Sequence, residues 1–264
     1  MSLVRLGVAV DDFGLGPKRG LRQAAHLGYG AVELDATRGD VDPTALSQTG
    51  VRHLRKLVEG LGLELATLGG QLGGSGLADP ATVDERIDRT RRVLELAARL
   101  RVPVVTTHLG PVPDDPNDRR RQSIIEAVQH LGEHADRTDT FLAVQAAHSA
   151  PTVLRDLLDE IDCPMIRVCY DPGGLLQFGH DPVTGAGDLA DYVVASHLRD
   201  ATPATSTSAG HEVRMGTGQV NFLACLAALE QGDYVGPQIV RRTDAADPIA
   251  DIAAAKQYLD NLLR

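Results

Sequence analysis

The stretch Ala81–Gly110, ATVDERIDRTRRVLELAARLRVPVVTTHLG, reads as one helix followed by one strand, and the recurrence of that unit decides the fold. Val83, Ile87, Val93, Leu94, Ala97 and Leu100 fall on one broad apolar stripe at helical period. Asp79-Pro80 ahead of them gives a capping residue followed by proline, an expected helix start. From Val102, VPVVTTHLG is apolar and β-branched without alternation, which suits a strand covered on both faces.

Runs of the same kind lie on either side. They are VRLGVAV from Val4, AVELDA from Ala31, LELATLG from Leu63, TFLAVQA from Thr140, MIRVCYD from Met165, YVVASHLRD from Tyr192 and PQIVRR from Pro237. Helical patterns separate them near Pro17–Leu27, Ala45–Gly60, Asp118–Arg137, Thr152–Glu160, Asn221–Gln231 and Pro248–Leu263. An irregular helix falls within Gly173–Ala190. Eight strands alternating with helices predict a single (β/α)8 TIM barrel of the α/β class, and 264 residues is close to the usual length. The rival is an open sheet binding a dinucleotide, which wants G-x-G-x-x-G after the first strand. Here the turn has Arg19 where the third glycine belongs.

No linker divides the chain, so residues 1–264 read as one domain. TPATSTSAG, Thr202–Gly210, follows the seventh strand and reads as an active-site-face loop and candidate lid. Gly69–Gly74 lacks the Lys-Ser/Thr of a phosphate loop and reads as a flexible turn.

Composition narrows the function. A formal charge of −10 disfavours nucleic acid and anionic membrane as partners. Arg119-Arg120-Arg121 lies among acids and reads as a solvated helix start. Cys163, Cys169 and Cys225 have neither disulfide nor zinc spacing. The N-terminus lacks a signal-peptide pattern and no run of apolar residues is long enough to span a bilayer, so the expectation is a soluble, cytoplasmic protein. The oligomeric state stays open, a homo-oligomer among the options.

In such barrels the chemistry sits at the C-terminal ends of strands. The polar residues there are Glu33 and Asp35, His108, Gln145 with His148 just beyond, Asp171, His197 with Asp200, and Arg241. Each alone has a bland explanation; converging on one barrel mouth they read as a pocket for a small molecule such as a sugar or sugar acid.

Several short pieces, in order, carry a resemblance: VEL (Val32–Leu34), THLGP (Thr107–Pro111), YDPGG (Tyr170–Gly174), GHDP (Gly179–Pro182), SHLRDA (Ser196–Ala201) and GTGQVNF (Gly216–Phe222). Together they resemble the xylose isomerase-like TIM-barrel family, which includes sugar isomerases, ketose 3-epimerases and endonuclease IV-like enzymes. The resemblance implies one divalent metal held by Glu, Asp, His and Glu after strands five to eight, the two Glu carboxylates moving the proton. Asp171 and His197 match; Gln145 and Arg241 stand where the two Glu are implied.

Gln offers a metal only a neutral carbonyl oxygen, and Arg offers donors alone and stays charged. Neither is a general base. The sequence therefore predicts no cofactor and no metal, and a degenerate version of the family's site. Should the register of strand eight slip, Mn, Mg or Zn on Asp171, His197 and Gln145 becomes the alternative. His197 and His108 are the candidate acid and base. Glu33, Gln145, Asp171, Arg214 and Arg241 are candidate substrate contacts, with Arg241 expected to pair with Asp171. The function expected is a sugar or sugar-phosphate isomerase or epimerase. The alternative is a non-catalytic binding barrel that keeps the pocket. A nuclease with several zinc ions suits the His and carboxylate inventory least.

Overall fold

The computed structural model describes residues 4–74, 76–79, 81–205 and 208–264. Eight parallel strands close into a barrel: β1 (Leu6–Ala9), β2 (Ala31–Asp35), β3 (Glu64–Gly69), β4 (Val104–Thr107), β5 (Phe141–Ala146), β6 (Ile166–Tyr170), β7 (Val193–Leu198) and β10 (Gln238–Val240), with β10 pairing both β7 and β1. Around them run α1 (Pro17–His26), α2 (Gln48–Gly60), α3 (Val83–Leu100), α4 (Arg119–Thr138), α5 (Pro151–Ile161), α8 (Phe222–Gln231) and α9 (Pro248–Leu262). The irregular region after β6 is two short helices, α6 (Pro172–Gln177) and α7 (Pro182–Asp188), each opened by an Asp cap and a proline. Pro80, the proposed helix-starting proline, lies outside the described residues, as do Met1–Leu3 and Ser206-Thr207 of the candidate lid.

The strand faces divide the apolar residues by size. Val8, Val32, Leu68, Val105, Leu142, Val168, Leu198 and Val240 pack in the large core shared with the helices. Two small clusters stand apart from that core: Ala9, Ala31, Ala66 and Ile239, and Val104, Ala143, Cys169 and Ala195. These alternate along the strands with the outer residues, as inward positions must, except on β3, where a register shift leaves Ala66 and Leu68 two residues apart. Five of these eight are alanines, Ala9, Ala31, Ala66, Ala143 and Ala195, and their small side chains leave room for long polar ones.

Two register shifts aim those polar chains. Between Val32 and Glu33 the β2–β3 ladder gains a residue on β3, so Glu33 faces Thr67. Between Val168 and Cys169 the β6–β7 ladder gains one on β7, so Cys169 faces Ala195. From Ala195, period two carries His197 and then Arg199 to the inner face.

The seventh strand ends earlier than the run YVVASHLRD suggests. Beyond Leu198, β8 (Asp200–Thr202) pairs antiparallel with β9 (His211–Val213), so the proposed loop forms a hairpin at its base. Asp200, read from sequence as a pocket residue, is buried and spent on structure. Its carboxylate accepts from the backbone N–H of Ala201, Gly216, Gly218 and Val220, which fixes the GTGQV turn.

Candidate functional site

Glu33 is 2% exposed and lies at the centre of the upper barrel. Its Oε2 accepts from Thr67 Oγ1 at 2.8 Å, from His197 Nε2 at 2.9 Å and from Thr106 Oγ1 at 3.3 Å. Its Oε1 accepts from Arg241 Nη1 at 2.8 Å. Burial pushes the Glu33 carboxyl up, but the imidazole of His197 and the guanidinium of Arg241 outweigh it and hold it at about 2. Arg241 follows β10 directly, with its N–H on Leu198 O, and turns its other edge to Asp12: Nε to Oδ2 at 2.8 Å and Nη2 to Oδ1 at 3.2 Å. Asp12 stands on the 3-10 turn Val10–Phe13 after β1. The expected pairing of Arg241 with Asp171 is therefore corrected. A guanidinium beside two nearer carboxylates spends its fork on them.

The partner of Asp171 is Arg199, which the sequence reading did not single out. Arg199 Nε donates to Asp171 Oδ1 at 3.2 Å, and Arg199 Nη2 and Gln145 Nε2 both donate to Oδ2. The Gly174 N–H donates to Oδ1 at 2.8 Å, so the same carboxylate caps α6. Burial raises the Asp171 carboxyl, but Arg199 and the hydrogen bonds prevail and hold it below the usual range. The glycines of YDPGG make room for this pair. A Cβ on Gly173 would lie 2.6 Å from Arg199 O, and one on Gly174 2.8 Å from both Ala147 Cβ and Asp171 Oδ2 and 2.9 Å from Arg199 Nη2. Gly174→Ala is thus expected to displace the guanidinium and lower stability by about 1–3 kcal/mol, the usual cost of overpacking. Urea unfolding checks this, and a change below about 0.5 kcal/mol would rule out the close approach.

Two cavities open at the mouth, divided by Arg241 and Gln71, which line both. The larger, about 270 Å³, is lined by Gln145, His148, Phe178, His197 and Arg199 among others. The smaller, about 170 Å³, is lined by Asp11, Asp12, Glu33, Asp35 and Arg38. The structure thus gathers Glu33, Gln145, Asp171, His197 and Arg241 into one cluster. His108 sits behind His148, ring centroids 6.0 Å apart, and does not line either cavity; His148 does. Burial, then His148 and Arg86, lower the His108 pKa. Arg214 is exposed and reaches toward Asp251 of α9 at 3.7 Å, away from the mouth cavities. Glu212 on β9 ties the hairpin to the barrel: it pairs with Arg242 at 2.8 Å and Arg199 at 3.6 Å, and accepts from Thr243 N at 2.9 Å.

Asp11 is a further, half-buried acid at the rim. Burial pushes its carboxyl from 3.8 to about 6, against the Asp35 N–H it accepts at 2.6 Å. A raised carboxyl pKa means the folded state holds the proton more tightly. Stability is therefore lost as pH rises from 3.8 through about 6. Asp11→Asn, which keeps the acceptor, is expected to raise stability by about 1–3 kcal/mol at neutral pH and to be near neutral below the ordinary carboxylate range. Unfolding curves at both pH values test it; equal effects at the two would count against the shift.

Residues 21–262 match the family described as Xylose isomerase-like TIM barrel. The chain belongs to that family. Among solved members of similar fold, a xylose isomerase domain protein from Planctomyces limnophilus superposes with TM-score 0.87 at 23% identity, over 98% of this chain and 97% of that one. A xylose isomerase-like TIM barrel protein from Mycobacterium smegmatis, solved in complex with magnesium, gives 0.73 at 18% identity, over 93% and 87%. L-ribulose-5-phosphate 3-epimerase UlaE of Escherichia coli K12 is 22% identical over 70% of this chain, a match spanning 66% of the epimerase. In this xylose isomerase-like barrel Gln145, Asp171, His197 and Arg241 all stand at the C-terminal ends of β5, β6, β7 and β10. Among the described residues no group of three or more His, Cys, Asp and Glu is arranged to hold a metal ion. No helix among them is long and apolar enough to cross a membrane.

Proposed function

We propose that this chain binds a small sugar at the barrel mouth and moves a proton on it, as an isomerase or epimerase, without a divalent ion. One observation carries the reading: two guanidiniums, Arg199 and Arg241, lie against the buried carboxylates of Asp171 and Glu33 beside the larger cavity. A dication needs several oxygen or nitrogen lone pairs facing one point. Here the Glu33 oxygens accept from His197, Thr67, Thr106 and Arg241, and those of Asp171 from Arg199, Gln145 and Gly174. An added ion would displace those donors and meet two fixed cations. This donor set does not fit a divalent metal.

The guanidinium N–H groups take the electrophile's part, donating to the sugar oxygen that becomes negative as a C–H proton leaves. His148 carries the proton. It lines the cavity while remaining exposed, and desolvation by its neighbours together with Arg199 lowers its pKa, so it is neutral near pH 7 and able to accept. The sugar class is supported by relatives whose names state it, UlaE and the 3-keto-D-glucoside 4-epimerase YcjR of E. coli.

The test is solvent exchange. Chelator-treated protein is incubated with a panel of ketoses in D2O, and carbon-bound deuterium is followed by NMR. Exchange that persists without metal and falls in His148→Ala is the expected result. Exchange that appears only on adding Mn2+ or Mg2+ sinks the proposal. A second reading, a binding barrel without turnover, is favoured by one observation: Glu33 and Asp171 are both held as carboxylates well below neutrality, so neither shuttles a proton. In that case ketoses bind and no deuterium enters.

A further inference from the structure

We infer that the mouth selects an uncharged, hydroxyl-bearing sugar over its phosphorylated or carboxylated counterparts. The inference rests on the sugar-binding reading above and adds the charge of the ligand to it.

The guanidiniums here are already neutralised. Two sets of ion pairs lie here, Arg199, Arg242 and the exposed Arg214 with Asp171, Glu212 and Asp251, and Arg241 with Asp12 and Glu33, where His197 also sits on Glu33; four guanidiniums face five carboxylates. A phosphate brings between one and two negative charges and needs an unspent cation, or must pull one from a buried carboxylate and leave that acid unpaired. Spare N–H groups are a different matter. Arg241 commits three of its five N–H directions to Asp12 and Glu33, so the rest can serve a hydroxyl oxygen, which asks for a donor and not a charge.

The amides point the same way. Asp171 is an acceptor only, so it fixes Gln145 with Nε2 toward it. Gln145 Oε1 then accepts from Gln71 Nε2 at 2.8 Å. This relay sets the orientation of both amides and leaves Gln71, for the cavities it lines, the second N–H of its Nε2 and one acceptor, Oε1. A hydroxyl can donate to it, whereas an ionised phosphate or carboxylate oxygen is repelled. Phe178, which lines the larger cavity and is 49% exposed, lies against His148 with centroids 4.5 Å apart and the rings tilted by 40°. Its apolar face suits the C–H face of a sugar ring.

Titration calorimetry on the full chain tests this with D-fructose, D-tagatose and L-ribulose set against L-ribulose 5-phosphate, D-fructose 6-phosphate, D-gluconate and inorganic phosphate. The tightest neutral ketose is expected to bind at least about tenfold better than any of the anions. Glu212→Gln removes one anion from the network and is expected to raise the affinity for inorganic phosphate about tenfold, while neutral ketose binding changes less than about threefold. A sugar phosphate that binds tighter than the neutral ketoses overturns the inference and leaves the sugar reading standing. A folded Glu212→Gln with unchanged phosphate affinity overturns the charge argument. If no compound in the panel binds, the sugar reading falls and the inference with it.

Discussion

Arg241→Met is expected to cost about 3–5 kcal/mol of folding stability, the usual consequence of removing one partner from a buried ion pair. The side chain of Arg241 is 17% exposed, and its two carboxylate partners are 7% and 3% exposed. Methionine fills most of the volume but donates nothing, so Asp12 loses both side-chain donors from Arg241 and Glu33 loses the donor on its Oε1. The loss should be greatest above pH 4.5. Glu33 has its carboxyl pKa lowered to about 2, so its contribution is fully present above its ordinary value of 4.5 and disappears as pH falls through about 2. Urea midpoints at neutral pH, at unchanged slope, measure the effect. The double variant Arg241→Met with Glu33→Gln should cost less than the two single changes together, because the stranded charge is gone. A single-variant loss under about 1 kcal/mol would mean that water already screens the pair, and the account of Arg241 as a buried partner of Asp12 and Glu33 would fail.

The barrel was legible because its strands are buried on both faces. VPVVTTHLG and MIRVCYD carry successive buried apolar residues, Val104-Val105 and Val168-Cys169, and the stripe on Val83–Leu100 can face only one way. What alternation could not show is where a ladder gains a residue. The shift at Val32/Glu33 sets Thr67 opposite Glu33, and that at Val168/Cys169 sets the face of His197; nothing in AVELD or VVASHL marks either. The hairpin of β8 and β9 was equally hidden, since its strands are short and one side of Thr202–Gly210 is polar throughout.

The site was half legible. Position at a strand end found Glu33, Gln145, Asp171, His197 and Arg241, which the fold does bring together. It missed Asp12, because a 3-10 turn carries that residue back over the mouth, and it missed Arg199, which lies one pleat beyond His197. A signal for Arg199 did exist. Ala195, His197 and Arg199 share one period-two face, and the Gly173-Gly174 pair marks a close approach that some large group must fill. Choosing between Asp12 and Asp171 as the partner of Arg241 needed distances, because both acids sit at the same end of the barrel.

Gln145→Glu combined with Arg241→Glu is expected to create the metal site that the family resemblance implies and this chain's donor set resists. The two changes remove one fixed cation and add two carboxylates beside Asp171 and His197, giving the donor types that suit a divalent ion. They also crowd Glu33, Asp12 and the new acids once the guanidinium shared by Glu33 and Asp12 is gone. Without metal the double variant should therefore be markedly less stable than the parent. Metal binding then reads out as stability. If Mn2+ binds with a Kd of about 10 μM, about 1 mM Mn2+ adds about 2.7 kcal/mol to the folded state. The parent chain, with Arg241 and Gln145 in place, should show no such rise. Calorimetric titration with Mn2+ and unfolding curves with and without the ion give two independent readings. If the folded double variant takes up no more Mn2+ than the parent, then charge at Gln145 and Arg241 is not what keeps the ion out. The proposal that these two residues replaced the metal's ligands would have to be given up.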